Sequence, residues 1–436
     1  MKSVVYLLLA MVIGFFGSVF VLERILEPEG SGGFQISPSA PAGDAGSLPE
    51  PAVPAVSVEK KEWTIMVYMS ADNNLEANAI ADFLEMEQGI TGDMNILVLM
   101  DRPKKGIKFY DNSGHAKLFR IRKAPAFNID LDKGIVPPAL SSELIKDYGE
   151  LDLSDPDNLY NFIRTAVSIA PAERYAFIPW NHGLAMIGLL TDDDGGSGRP
   201  GKALIRLKDF SATMQKAAKL LPRKKFDLVY YYLCLMGQMD VMAETYKFAD
   251  YAIASPPSLP MVGTDFTVSL KNFAPGISTA DTAKNVVKET IESIRTNSLI
   301  NGALSAYDLS VVPEITAGLH DLAAELKALA PKYFGPISKT MYLATHLQDL
   351  ESDFFNGKNS SWSIRLDDWL AKLKKMYRGS AVHTSHGCRM QSHVWFWKLP
   401  PQKVPRIRDL SASICQLTAN FLILCTINLN FPAAPE

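Results

Sequence analysis

The chain has 436 residues, with 44 Lys plus Arg against 47 Asp plus Glu, for a formal net charge of −3. A hydrophobic fraction of 47% and a charged fraction of 21% are those of an ordinary globular protein. They exclude a mostly disordered chain, a fibrous repeat and a multi-span membrane protein, and they leave no overall basic field to hold nucleic acid.

From Val4 to Leu22 no residue is charged. A helix of that length rises roughly 28 Å, enough to cross a bilayer core. Lys2 precedes it, which by the positive-inside rule places the rest of the chain outside the cytoplasm. A cleaved signal peptide is the rival reading of residues 1–26, although no A-x-A-like site ends the apolar run. A buried core helix is a third. In residues 27–58, half are Pro, Gly or Ser, with no apolar periodicity, so this stretch is expected to be a tether between the anchor or signal and a folded body.

The body opens with EWTIMVYMS (Glu62–Ser70), an apolar run rich in β-branched and aromatic residues and so a buried strand. Asp72-Asn73-Asn74 supplies a turn and N-cap signal before a helix carrying Leu75, Ile80, Phe83, Leu84 and Met86. MNILVLMD (Met94–Asp101) is a second buried strand and KLFRIR (Lys117–Arg122) a third, followed by a loop-rich stretch containing Pro137 and Pro138. Asp155 to Ala170 reads as helix and RYAFIPW (Arg174–Trp180) as a strand running into Asn181-His182-Gly183. An acidic, glycine-rich loop follows at Thr191–Gly201, then a helix over Leu207 to Leu221. FDLVYYYL (Phe226–Leu233) is a strong strand ending at Cys234; Leu235 to Phe248 reads as helix and ADYAIAS (Ala249–Ser255) as strand. Beyond about residue 275 the pattern is mainly helical, with one apolar run near Ala303–Leu309. Strands alternating with helices predict an α/β fold whose mainly parallel sheet is covered on both faces.

Two strands deliver reactive residues just past their carboxyl ends, His182 and Cys234, where sites in parallel sheets gather. A thiol attacks as thiolate, and its ordinary pKa near 8.5 leaves little thiolate at neutral pH. A neighbouring imidazole can take the proton and later give it to a leaving amine. Cys234 also stands at the start of a predicted helix, whose dipole favours an anion. Gly183 allows close approach to a substrate, and its N–H with that of Cys234 could form an oxyanion hole. Spacing alone is a weak signal, since a lone Cys on a buried strand is usually a small core residue.

Four segments bring a family into view: WTIMVYMSADNNLE (Trp63–Glu76), the strand into NHG (Asn181–Gly183), CLMG (Cys234–Gly237) and ADYAIAS, with GALSAYDLS (Gly302–Ser310) as a looser match. In order and spacing, residues 60–310 resemble the clostripain family of cysteine peptidases, relatives of gingipains, legumains and caspases. The resemblance implies a caspase-like three-layer α/β/α sandwich, with His182 as general base and Cys234 as nucleophile. The expected organisation is an anchor or signal at 1–26, the linker at 27–58, a peptidase domain at 59–310 and a mainly helical extension at 311–436.

Departures from the family pattern bear on specificity. Members that cut after Arg or Lys carry an acid two residues before the nucleophile; here that residue is Tyr232. A second acid of the pattern falls on Val262, and Pro256-Pro257 replace a common glutamate. A basic side chain in a pocket without a carboxylate is an unpaired buried charge. Tyr232 and Val262 are therefore expected to line a substrate pocket that does not select Arg or Lys, with Asp265 as a nearby acid that could partly restore such selection.

Two functions from different classes fit. The first is an extracytoplasmic cysteine endopeptidase, acting on a protein or peptide substrate, membrane-bound through its N-terminal segment or secreted if that is cleaved. The second is a catalytically inactive, membrane-anchored binding or scaffold domain, suggested by Tyr232, Pro256 and Val262, with Tyr230, Tyr231 and Tyr232 filling the cleft. Neither involves nucleic acid. The chemistry requires no cofactor. Asp192, Asp193 and Asp194 could bind calcium, with which the family has an association, although a solvated loop is the plainer reading. His383, His386, Cys388 and His393 have no tight zinc-ligand spacing. Lys224 or Lys225 could be a nicking site between the histidine and cysteine strands.

Overall fold

The computed structural model describes residues 60–344 except 105, 111–112, 132, 194–202, 260–262 and 298–302, together with 364, 366–378 and 426–427. Residues 1–26, the linker at 27–58 and the His383–His393 cluster lie outside them. Among the described residues no helix is long and apolar enough to cross a membrane.

Five parallel strands form the centre of the sheet: β1 (Lys61–Ser70), β2 (Met94–Asp101), β5 (Ala172–Trp180), β8 (Phe226–Tyr230) and β9 (Ala249–Ala254). β3 (Lys117–Arg120) and β4 (Glu143–Asp147) extend one edge in antiparallel fashion, and β10 (Leu304–Asp308) and β11 (Thr426–Ile427) extend the other. The order is β11-β10-β9-β8-β5-β1-β2-β3-β4. A separate two-stranded ribbon, β6 (Gly188–Asp192) with β7 (Ala203–Arg206), lies outside this sheet.

Alternation along the strands divides the core into two layers. On one face Met66, Tyr68, Phe177 and Tyr231 pack against α2 (Pro156–Ile169), α3 (Leu207–Ala218) and α4 (Met239–Thr245), through Phe162, Phe210 and Val241. On the other Trp63, Ile65, Val67, Trp180 and Tyr232 pack against α1 (Glu76–Gly89), α5 (Phe266–Ser269) and α6 (Thr279–Asn297), through Phe83, Phe266 and Val286. The fold is thus the expected three-layer α/β/α sandwich. Capping fixes where α2 begins: Asp155 accepts the N–H of Asp157 at 2.8 Å, and Pro156 opens the first turn. A third apolar cluster joins α7 (Val312–Tyr342) to α8 (Leu366–Arg378) through Leu322, Leu326, Trp369, Leu370 and Leu373. α7 is kinked at Tyr333, between Pro331 and Pro336.

Several elements differ from the sequence expectations. The helix expected from Leu235 begins only at Met239 and ends at Thr245, so Cys234 stands in a loop and not at a helix N-terminus. Gly237 explains the delay: its N–H donates to Ser255 O and its carbonyl accepts from the Tyr307 hydroxyl, both partners outside any helix. β4 falls in the stretch read as loop, because an edge strand exposing most of its side chains has no apolar signature. Tyr230, Tyr231 and Tyr232 are all buried, on alternating faces of the sheet, so they do not jointly fill a cleft.

Candidate active site

Sheet register brings the two reactive residues to one place. β5 and β8 run parallel, and beyond β8 an isolated parallel bridge pairs Trp180 with Tyr232. His182 and Cys234 each stand two residues beyond that pair, on adjacent loops at the carboxyl edge. The loops touch at Gly183: a Cβ there would run into the Cys234 carbonyl oxygen and crowd Leu233 and Met236. The bridge between Gly183 and Leu189 uses the N–H groups of Leu184 and Leu190, which leaves the Gly183 N–H out of that ladder. Cys234 is partly exposed and forms no disulfide with another described residue.

Buried amides hold the histidine loop. Asn181 Oδ1 accepts from Thr191 N at 2.9 Å and Thr191 Oγ1 at 2.8 Å, and also from the His182 N–H. Its Nδ2 donates to Thr191 O at 2.7 Å and to Ser70 O. Outside the ring, Nε2 of His182 lies 2.8 Å from Asn74 Oδ1. Asn74 was legible in the sequence only as part of a turn signal.

The cysteine loop is covered from one side by the chain leaving β9. Leu259 N–H points at Cys234 Sγ from 3.2 Å, and the thiol faces Leu259 O at 3.7 Å. Pro257 O accepts the Leu235 N–H at 3.0 Å, and Pro256 O accepts from Gln238 Nε2 at 2.9 Å. Leu235 has a φ of +65°, a conformation that a branched residue adopts only when its surroundings impose it.

Beneath the two loops lies Tyr232. Its ring stacks between Trp180 (centroids 6.2 Å apart) and Phe266 (5.1 Å). Its hydroxyl accepts from Thr264 N at 2.6 Å and faces Thr264 O at 3.0 Å and Asp82 Oδ1 at 3.2 Å. Gly263, at φ +64°, packs on that hydroxyl where any side chain would collide with it. Asp82 also accepts from Trp180 Nε1 at 2.6 Å. Burial, then the nearby Glu85, pushes the Asp82 carboxyl well above its usual range, against the pull of the Trp180 and Tyr232 hydrogen bonds. Burial raises Glu85 to about 7, with Asp265 adding to the rise and the Phe266 N–H opposing it. Asp265 caps α5, accepting the Thr267 N–H at 2.7 Å. Val262 lies outside the described residues.

Of the three consecutive aspartates Asp192, Asp193 and Asp194, the first two are among the described residues. Asp192 is fully buried and accepts the Leu153 N–H at 2.7 Å, Asp193 gives its own N–H to Asp72 O, and Asp194 is outside the described residues. Asp192 meets Asp72 and Asp101: one carboxylate oxygen from each lies within 4.8 Å of the others, all three residues buried. Such hard oxygen donors suit calcium or magnesium.

Comparison with known proteins places the chain among peptidases of one family. Clostripain from Hathewaya histolytica is 26% identical over 314 residues, 62% of this chain and 57% of that protein, so the chain spans little more than half of its relative's length. The crystal structure of an inactive zymogen C11 protease from Parabacteroides distasonis superposes with a TM-score of 0.52 at 14% identity, covering 74% of this chain and 81% of that one, which supports the fold. A secreted C11 cysteine protease from Bacteroides thetaiotaomicron, bound to an irreversible peptide inhibitor, gives 0.49 at 20% identity, over 73% and 82% of the two chains. Residues 67–380, most of the chain and including α7 and α8, match the model of the clostripain family, and the chain belongs to that family.

Proposed function

We propose that the protein is a cysteine endopeptidase working through His182 and Cys234. The observation that carries this reading is the Trp180–Tyr232 bridge, which sets the two residues side by side with Gly183 packed on Cys234. His182 takes the thiol proton as Sγ attacks the scissile carbonyl carbon. The oxyanion that forms is met by the N–H groups of Gly183 and Cys234. Collapse breaks the C–N bond, and His182 returns its proton to the departing amine. Water, deprotonated by the same imidazole, then hydrolyses the thioester and releases the acid. No step requires a cofactor. Family membership and the clostripain relative support the reaction class.

Specificity follows from Tyr232. It stands at the chain position where family members selecting Arg or Lys carry an acid, and its stacked ring and Thr264-bonded hydroxyl offer no negative charge to a basic side chain, so cleavage is expected after small or apolar residues. The apolar stretch Val4–Leu22, preceded by Lys2, favours a site outside the cytoplasm, membrane-anchored or secreted. If calcium binds, Asp72, Asp101 and Asp192 are its donor set, and its role is to stiffen the β1 and β2 ends rather than to take part in the chemistry. In that case chelation lowers the Tm and calcium restores it; a Tm indifferent to both removes the ion from the account.

The contact of Leu259 with Sγ favours a second reading, a closed and inactive scaffold. A peptide-like acylating probe separates the two. Covalent labelling that is lost in Cys234→Ala supports the peptidase, and no labelling of the folded protein supports the scaffold.

A further inference from the structure

The partner of one imidazole nitrogen decides what the other can do. Nε2 of His182 lies 2.8 Å from the side-chain oxygen of Asn74. A carboxamide oxygen has no proton to give, so this contact is a hydrogen bond only when Nε2 carries the proton. In a neutral ring the lone pair is then on Nδ1. We propose that Asn74 is a positioning residue that fixes His182 as the Nε2–H tautomer and so makes Nδ1 the nitrogen that accepts the Cys234 proton. The proposal rests on the peptidase reading for its catalytic consequence.

The surroundings of Asn74 fit this role. The side chain is exposed, so it is not needed to fill the core. Its backbone is nevertheless held on both sides. Asn73 Oδ1 accepts the Leu75 N–H at 2.9 Å, the Ala71 N–H goes to Asp101 O at 3.0 Å, and Asp72 O receives the Asp193 N–H at 3.0 Å. The Ser70 carbonyl ties this turn to the histidine loop, because it accepts from both Asn73 Nδ2 and Asn181 Nδ2. One atom at the end of β1 therefore anchors the loops that carry both partners, and the separation of Asn74 from His182 is set by the sheet. A mere surface amide has no need of such a mount.

The test is the tautomer itself, read by nitrogen chemical shifts of His182 in the full chain labelled at histidine, with His182→Gln to assign the signal. Nε2 is expected to carry the proton and Nδ1 to be bare. In Asn74→Leu, similar in size but without an acceptor, this preference is lost and kcat falls about 10²-fold, with KM changed less than about twofold. Asn74→Asp keeps an acceptor oxygen, and so it retains the tautomer and most of kcat. A proton on Nδ1 in the unmodified protein, or an unchanged tautomer in Asn74→Leu, overturns the proposal. The shifts are independent of turnover. A protein that shows the Nε2–H tautomer but cleaves no peptide therefore supports the role of Asn74 in orienting His182 while contradicting the peptidase reading.

Discussion

Gly183 has no room for a side chain, because a Cβ would enter the space of the Cys234 carbonyl. Gly183→Ala must therefore separate the histidine and cysteine loops, and kcat/KM is expected to fall at least about 10²-fold, since both proposed oxyanion donors sit at that contact. Steady-state kinetics with a circular dichroism check of folding reads the effect. Asn181→Ala strips the partners from Thr191 N–H and Thr191 O in a buried setting, so a loss of about 2–4 kcal/mol is expected from urea unfolding. His182, Gly183 and Cys234 were legible in the sequence because each follows an apolar strand, and strand ends converge. Asn74 was not, because an exposed asparagine in a turn reads as local capping; its meaning comes from a contact 108 residues away. Tyr232 was read as lining a pocket, and only the tertiary structure reveals its hydroxyl bonded to Thr264.

Helix α1 carries a pH dependence into the protein. Glu85 has a folded-state pKa raised from 4.5 to about 7 by burial, so the native state keeps a proton that the unfolded chain loses. Stability therefore declines as pH rises through that window and stays lower above it. Glu85→Gln retains an acceptor for the Phe266 N–H and removes the ionisation. The variant is expected to gain about 1–3 kcal/mol at pH 8 and to match the parent near pH 4.5, in thermal melts at the two pH values. Strand and helix order along the central sheet was legible from apolar runs. The β6–β7 ribbon was missed because it flanks an acidic, glycine-rich stretch that carries a loop signature. The delayed start of α4 was missed because the bonds of Gly237 to Ser255 and Tyr307 are not local.

At the scale of the molecule, the sandwich presents His182 and Cys234 at the carboxyl edge of its sheet, and α7 with α8 forms an apolar unit of its own. Trp369 is fully buried there and donates to Thr340 Oγ1 at 3.1 Å. Trp369→Ala is expected to destabilise this unit by about 3–5 kcal/mol, seen as faster proteolysis between 312 and 378. The family match reaches residue 380, past the region where the sequence likeness was evident, because helix pairs are specified by spacing and packing rather than by distinctive motifs. The central claim is that His182 and Cys234 form a working peptidase site. Its most direct test is digestion of a mixed peptide library by the full chain and by Cys234→Ala, read by mass spectrometry. The account predicts cleavage by the unmodified chain after small or apolar residues, and none by the variant. Cleavage that persists in Cys234→Ala would contradict it.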